Sequence, residues 1–220
     1  SETTPEDDKY TENPNGSTVT SSSTETYTLN QPSSVSLSLY VHAKAKDGYT
    51  FKGWSNSDNG DDLGTDNPKK ITQQVNGSSE QAPKDMGTYY ATFAPNEYEV
   101  TLDPKGGVGG TEKVTARYEQ SMPSATMPTK EGYHFNGYFD VDAETGGNQY
   151  YKASGESAQK WRKTSNTTLY ARWTPSTYTI AFDGNGNTGG STASINATYG
   201  KEYTLTNGFT KTGYTFDKWK

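Results

Sequence analysis

Hydrophobic and polar positions alternate along most of this chain. Val35, Leu37, Leu39, Val41, Ala43 and Ala45 take every second place, with Ser36, Ser38, Tyr40, His42 and Lys44 between them. Period two over such a run predicts a strand with one buried face. Tyr89, Ala91 and Phe93 predict a closing strand, punctuated by Ala94-Pro95-Asn96. Tyr98, Val100 and Leu102 then alternate up to a turn at Asp103-Pro104-Lys105-Gly106-Gly107. Tyr178, Ile180 and Phe182 do the same before Asp183-Gly184-Asn185-Gly186. Residues 114–118 and 195–199 read as second strands, and Leu169, Ala171 and Trp173 as another closing strand. Between them, the Asn-, Asp- and Gly-rich stretch 55–68 reads as a loop, and Ile71 and Val75 mark a short element.

These strands recur in a fixed relation to one aromatic phrase. It is Gly48-Tyr49-Thr50-Phe51-Lys52-Gly53-Trp54, then Gly132-Tyr133-His134-Phe135-Asn136-Gly137-Tyr138, then Gly213-Tyr214-Thr215-Phe216-Asp217-Lys218-Trp219. The spacing of about 80 residues is the size of a small domain rather than of a solenoid unit. The pattern divides the chain into a polar, flexible linker over 1–26, a divergent module over 27–96, a full module over 97–175 and the first part of a third over 176–220. The closing strand of the third is expected in a longer parent chain. Its open sheet edge would then be covered by a neighbour, including a second copy in a weak homodimer. The connectors fall around Pro95 and Pro175, where proline restricts the backbone.

Composition changes this picture in one respect. Hydrophobic residues form only 29% of the chain, against about 45–50% in ordinary globular domains. The 17 Tyr, 7 Phe and 4 Trp supply the missing burial, since each large ring covers about 150–250 Å². Thin aromatic cores under polar surfaces are therefore expected. The net charge of −6 without a basic run disfavours nucleic acid and anionic membranes as partners. No apolar stretch approaches the ~18 residues of a spanning helix, which argues against membrane insertion. Absence of cysteine removes disulfides and thiol chemistry.

The candidate chemistry is sparse. Trp54, Tyr138 and Trp219 have the opposite strand parity to Tyr49/Phe51, Tyr133/Phe135 and Tyr214/Phe216. With those pairs facing inward, the three outer rings are the better candidates for a sugar-stacking platform, although packing against the turn is the favoured reading even for them. Asp58, Asp61, Asp62 and Asp66 lack the spacing and closing glutamate of a calcium loop, so no metal is expected there. His42 and His134 lie in different modules with no nucleophile motif beside them. The run Gly106-Gly107-Val108-Gly109-Gly110 is not followed by the Lys-Ser/Thr of a phosphate loop. No catalytic residue and no cofactor is expected. A Lys–Asn or Lys–Asp isopeptide crosslink has no specific signal here.

Pro128-Thr129-Lys130-Glu131-Gly132-Tyr133, Thr168-Leu169-Tyr170-Ala171-Arg172-Trp173, Tyr199-Gly200-Lys201 and Lys211-Thr212-Gly213-Tyr214 together resemble the Listeria–Bacteroides repeat, the B-repeat type of internalins. The first module resembles the divergent form, keeping the Gly-Tyr-x-Phe-x-Gly-Trp core and a Tyr-Ala-Thr-Phe close. The resemblance implies β-grasp-like modules, each a mixed sheet over a short helix or helical turn, so a mainly β or α+β chain. It also implies a large bacterial surface or secreted protein with anchoring elsewhere in the parent. The modules would then be non-enzymatic spacers between neighbouring domains. The alternative role is an adhesin segment, binding glycan or a host protein through exposed aromatics or sheet edges.

Overall fold

The computed structural model describes residues 11–12, 18–23, 35–56, 62–75 and 88–220. The chain is mainly β, a series of small sheets, and the described residues contain no helix. It divides into two compact units. The first takes in residues up to Tyr98 together with Arg117–Gln120 and Arg162–Ser165, and the second holds the remainder of the chain.

In the first unit, β1 (Thr11–Glu12), β2 (Thr18–Ser23), β3 (Val35–Lys44) and β5 (Lys69–Val75) form an antiparallel sheet in the order β1-β2-β3-β5. β4 (Tyr49–Ser55) pairs separately with β6 (Tyr90–Pro95). The strand expected from Val35 is thus present as β3. Strands β1 and β2 lie inside the segment whose composition reads as a linker. Their Thr-rich stretches have β-propensity despite offering little to bury, and β2 finds its partner in β3. Val41, Ala43, Trp54 and Ile71 are the buried core, with Phe51, Leu63, Tyr89, Ala91 and Phe93 packed around them. Asn67 closes the end of β3 by accepting from the Ala43 amide at 2.9 Å and donating to the Ala43 carbonyl at 2.6 Å.

The second unit is built on a mixed sheet. β7 (Glu97–Asp103), whose first two residues belong to the first unit, is followed by β8 (Lys113–Arg117), β9 (Tyr133–Phe139), β10 (Gln149–Lys152) and β11 (Thr167–Pro175). Their order is β10-β9-β11-β7-β8, with β11 parallel to β7 and antiparallel to β9. Burying alternate positions of β7 and β11 places Val100, Leu102, Leu169 and Ala171 in the core beside Ala116, Met122, Tyr138, Tyr150, Tyr151 and Trp161. The mixed sheet matches what the family resemblance implies, and of the implied short helix or helical turn no helix is present among the described residues. Between β8 and β9 the chain is irregular, and Pro123 and Pro128 in that stretch explain why. Each lacks an amide donor and biases its predecessor away from the helical region.

The third repeat, also in this unit, pairs β12 (Thr177–Ile180) with β14 (Ile195–Thr198) and β13 (Gly189–Gly190) with β15 (Phe209–Thr210). It reproduces the opening turn of the second repeat closely. Asp103 accepts from the Lys105 amide at 2.9 Å, and Asp183 from the Asn185 amide at 2.8 Å. Both Lys105 and Asn185 hold a left-handed φ of 47°.

Candidate functional site

A β-bulge governs where the aromatic side chains point. In β4 the pairing runs Phe51↔Phe93 and then Gly53↔Thr92, so Lys52 is the extra residue. In β9 it runs Phe135↔Trp173 and then Gly137↔Arg172, so Asn136 is extra. One inserted residue reverses the parity of everything beyond it. Trp54 therefore turns to the same side as Phe51, with ring centroids 5.4 Å apart, and Tyr138 to the side of Phe135 at 5.3 Å. The glycine at the bulge is required, because Gly137 has φ +130° and a β-carbon there would collide with the Tyr151 carbonyl.

This removes Trp54 and Tyr138 as candidates for a platform, since a stacking platform needs an exposed ring face. Each is 1% exposed. The Trp54 indole donates to the Asp66 carbonyl at 2.9 Å. Burial pushes the Tyr138 hydroxyl up to about 12, and does the same to Tyr151. Trp219 is half-buried and packs on Phe182, Phe209 and Phe216. Of the acidic loop, Asp58 and Asp61 lie outside the described residues, and Asp62 accepts from the Gly64 amide at 2.7 Å.

The arrangement that does recur is the seam between one repeat and the next. One seam lies wholly in the first compact unit and the other wholly in the second. In the first, the Asn96 amide donates to the Gly48 carbonyl at 2.8 Å, and the Tyr118 amide donates to the Asn96 carbonyl at 3.0 Å. In the second, the Ser176 amide donates to the Gly132 carbonyl at 2.8 Å, and the Tyr199 amide to the Ser176 carbonyl at 2.8 Å. A single connector residue is thus clamped on both sides through its backbone. The connecting prolines are the last residues of their strands, with Pro95 opposite Tyr49 and Pro175 opposite Tyr133.

Rings complete each clamp. Tyr118 meets Tyr49 edge-on at 5.7 Å and 80°, and Tyr199 meets Tyr133 at 5.6 Å and 72°. The same rings lie face-down on Gly48 and Gly132, so closely that a β-carbon at either glycine would fall inside the ring contact. Both glycines have positive φ, +83° and +73°, which other residues rarely adopt. The side chains at the connector vary. Thr50 donates to Asn96 in the first seam, and His134 Nε2 lies 3.3 Å from Ser176 Oγ in the second. Tyr49 donates to the Glu119 carboxylate at 2.7 Å, and that hydrogen bond, with burial and the neighbouring negative charge, raises its hydroxyl to about 12. At the position of Glu119 the second seam has Gly200. Sequence reasoning missed this seam. Its signal was that the first two Gly-Tyr-x-Phe phrases are each followed by a tyrosine just past the next repeat's second strand, Tyr118 and Tyr199.

A family model described as the Listeria–Bacteroides repeat domain matches residues 9–76, 98–172 and 178–220. The chain belongs to that family. It is 35% identical over 132 residues to Internalin H of Listeria monocytogenes, covering 60% of this chain and 20% of that protein. It is also 28% identical over 178 residues to a provisionally named Gly-rich membrane protein of Evansella cellulosilytica, covering 81% of this chain and 18% of the relative. The chain therefore spans about a fifth of the length of these relatives. No solved structure matches it significantly. Family and relatives together make this a repeat segment of the kind found in bacterial surface and membrane-associated proteins. Among the described residues no helix is long and apolar enough to cross a membrane.

Proposed function

We propose that this chain is a non-enzymatic spacer, part of an exported bacterial surface protein that holds other domains away from the cell. The observation that carries the reading is the doubly clamped connector, built alike at Asn96 and at Ser176. A flexible linker leaves its backbone to solvent. Here the connector's amide and carbonyl are both used by its neighbours, and a tyrosine closes over a bare glycine beside it. Investment of that kind in the seam favours a part whose output is spacing. A contact made largely through the backbone leaves the outer-face side chains free to vary, as a spacer requires.

The test is replacement of this segment, within its full-length parent, by unrelated folded domains of matching length. Restored accessibility of the distal domains to an antibody is the expected result. Loss of function despite restored display would instead assign the repeats a binding role, which a screen of the folded chain against glycans and host matrix proteins would identify.

A further inference from the structure

The Gly-Tyr-x-Phe element occurs three times in the chain, and in two of them a following tyrosine covers the glycine. Gly48 lies under Tyr118 and Gly132 under Tyr199, whereas a β-carbon on Gly213 would meet nothing within 4 Å. Tyr214 is correspondingly 74% exposed, while Tyr49 and Tyr133 are half-buried.

The third element is nonetheless already shaped like the other two. Gly213 has φ +78°. The Tyr214 amide donates to the Lys211 carbonyl at 3.0 Å, as Tyr49 does to Lys46 at 3.0 Å and Tyr133 to Lys130 at 3.1 Å. The Lys211 ammonium stands 5.1 Å from the centre of the Tyr214 ring, and Lys130 stands 4.6 Å from that of Tyr133. Lys211 is itself fixed by donating to the Asn185 carbonyl at 3.1 Å, the counterpart of Lys130 on Lys105 at 3.2 Å. A positive-φ glycine, an oriented tyrosine and a lysine holding that ring are in place before any partner arrives.

We infer that Gly213 and Tyr214 form a socket for the connector and tyrosine hairpin of a further repeat of the same family. The two filled sockets define the occupant's chemistry. It brings a connector residue whose amide reaches the Gly213 carbonyl and whose carbonyl accepts from a tyrosine amide. The ring of that tyrosine lies face-down on Gly213 and edge-on to Tyr214. A second copy of this chain is the poorer occupant, because its Tyr118 and Tyr199 already fill sockets of their own. A sugar could stack on Tyr214, but stacking alone gives no role to a bare, positive-φ glycine. The inference goes beyond the spacer reading and does not depend on it, since any tandem array, spacer or adhesin, could use the seam.

The experiment extends the full chain. Residues 140–220 are appended after Lys220, which continues the third repeat in register and supplies a second Ser176 and Tyr199. Amide hydrogen exchange is then followed at the appended Ser176, with the original Ser176 as internal reference. The expected result is slow exchange at both. Gly213→Ala should speed the appended amide by about tenfold or more, because it combines a positive-φ alanine with a ring clash. Replacing the appended Tyr199 by Ala should do the same without backbone strain. Rapid exchange at the appended Ser176, whether or not the appended strands are protected, overturns the inference. So does slow exchange indifferent to both variants. Concentration-dependent dimerisation of the original chain, abolished by Gly213→Ala, would assign the socket to a second copy instead. Shifts of the Tyr214 resonances by a sugar, with the appended connector unprotected, would assign it to a glycan.

Discussion

The Tyr199 ring lies face-down on Gly132, in space that a β-carbon at that residue would occupy. A residue from one repeat thus fits only because its neighbour has no side chain. Gly132→Ala should destabilise the chain by about 1–3 kcal/mol, through overpacking added to an unfavourable φ. Denaturant unfolding of the second unit would measure it, and an unchanged midpoint would refute the close fit.

Removing the ring from the other side gives a contrasting outcome. Tyr199→Ala leaves Gly132 unstrained but uncovers it, and should cost about 0.5–1.5 kcal/mol for the lost aromatic pair in addition to the lost burial of the ring. Protease cleavage near Ser176 should become faster. Tyr214→Ala, whose exposed ring has no partner ring among the described residues, should stay within about 0.5 kcal/mol of the parent.

Trp54 tests the bulge. If the parity reversal at Lys52 holds, Trp54→Ala removes a core side chain and should cost about 3–5 kcal/mol. A cost typical of a surface site would restore Trp54 as an exposed platform candidate. Fluorescence offers a second readout, because a buried indole emits at shorter wavelength than a solvated one.

Alkaline pH should weaken the fold in a defined window. Tyr138 and Tyr151 are raised to about 12 by burial, and Tyr49 to about 12 chiefly by its hydrogen bond to Glu119. Unfolded tyrosines ionise near pH ~10. The folded state therefore keeps protons that the unfolded state has lost, so stability is full below about pH 10 and falls as the pH rises towards about 12. Glu119→Gln should lower the Tyr49 value, read by NMR titration of the tyrosine Cζ resonances. No change would mean that Glu119 does not hold the hydroxyl.

Much of the strand plan was legible because alternation survives wherever one face is buried. β3, β6, β7, β8, β11 and β14 all follow stretches of that kind, and β12 follows its alternation although Tyr178 is largely exposed. β10 was not legible. Tyr150 and Tyr151 are adjacent yet both buried, which a bulge between Gln149 and Tyr151 permits and alternation does not. The same cause misdirected Trp54 and Tyr138, for an extra residue in a strand leaves no mark that counting by twos can detect. The seam escaped for another reason. Its parts lie some 70 residues apart in sequence, as with Gly48 and Tyr118, and only folding brings a tyrosine over a glycine.

The clamped connector has a bearing on how such genes change. Each boundary asks one repeat for a bare glycine and a tyrosine, and asks the next for a tyrosine just past its second strand. Any copy that brings both halves can be inserted beside any other, and a deletion of one whole copy rejoins two compatible ends. Unequal recombination can then lengthen or shorten the array without a new interface having to evolve, which makes the number of repeats a quantity that selection can adjust in whole steps.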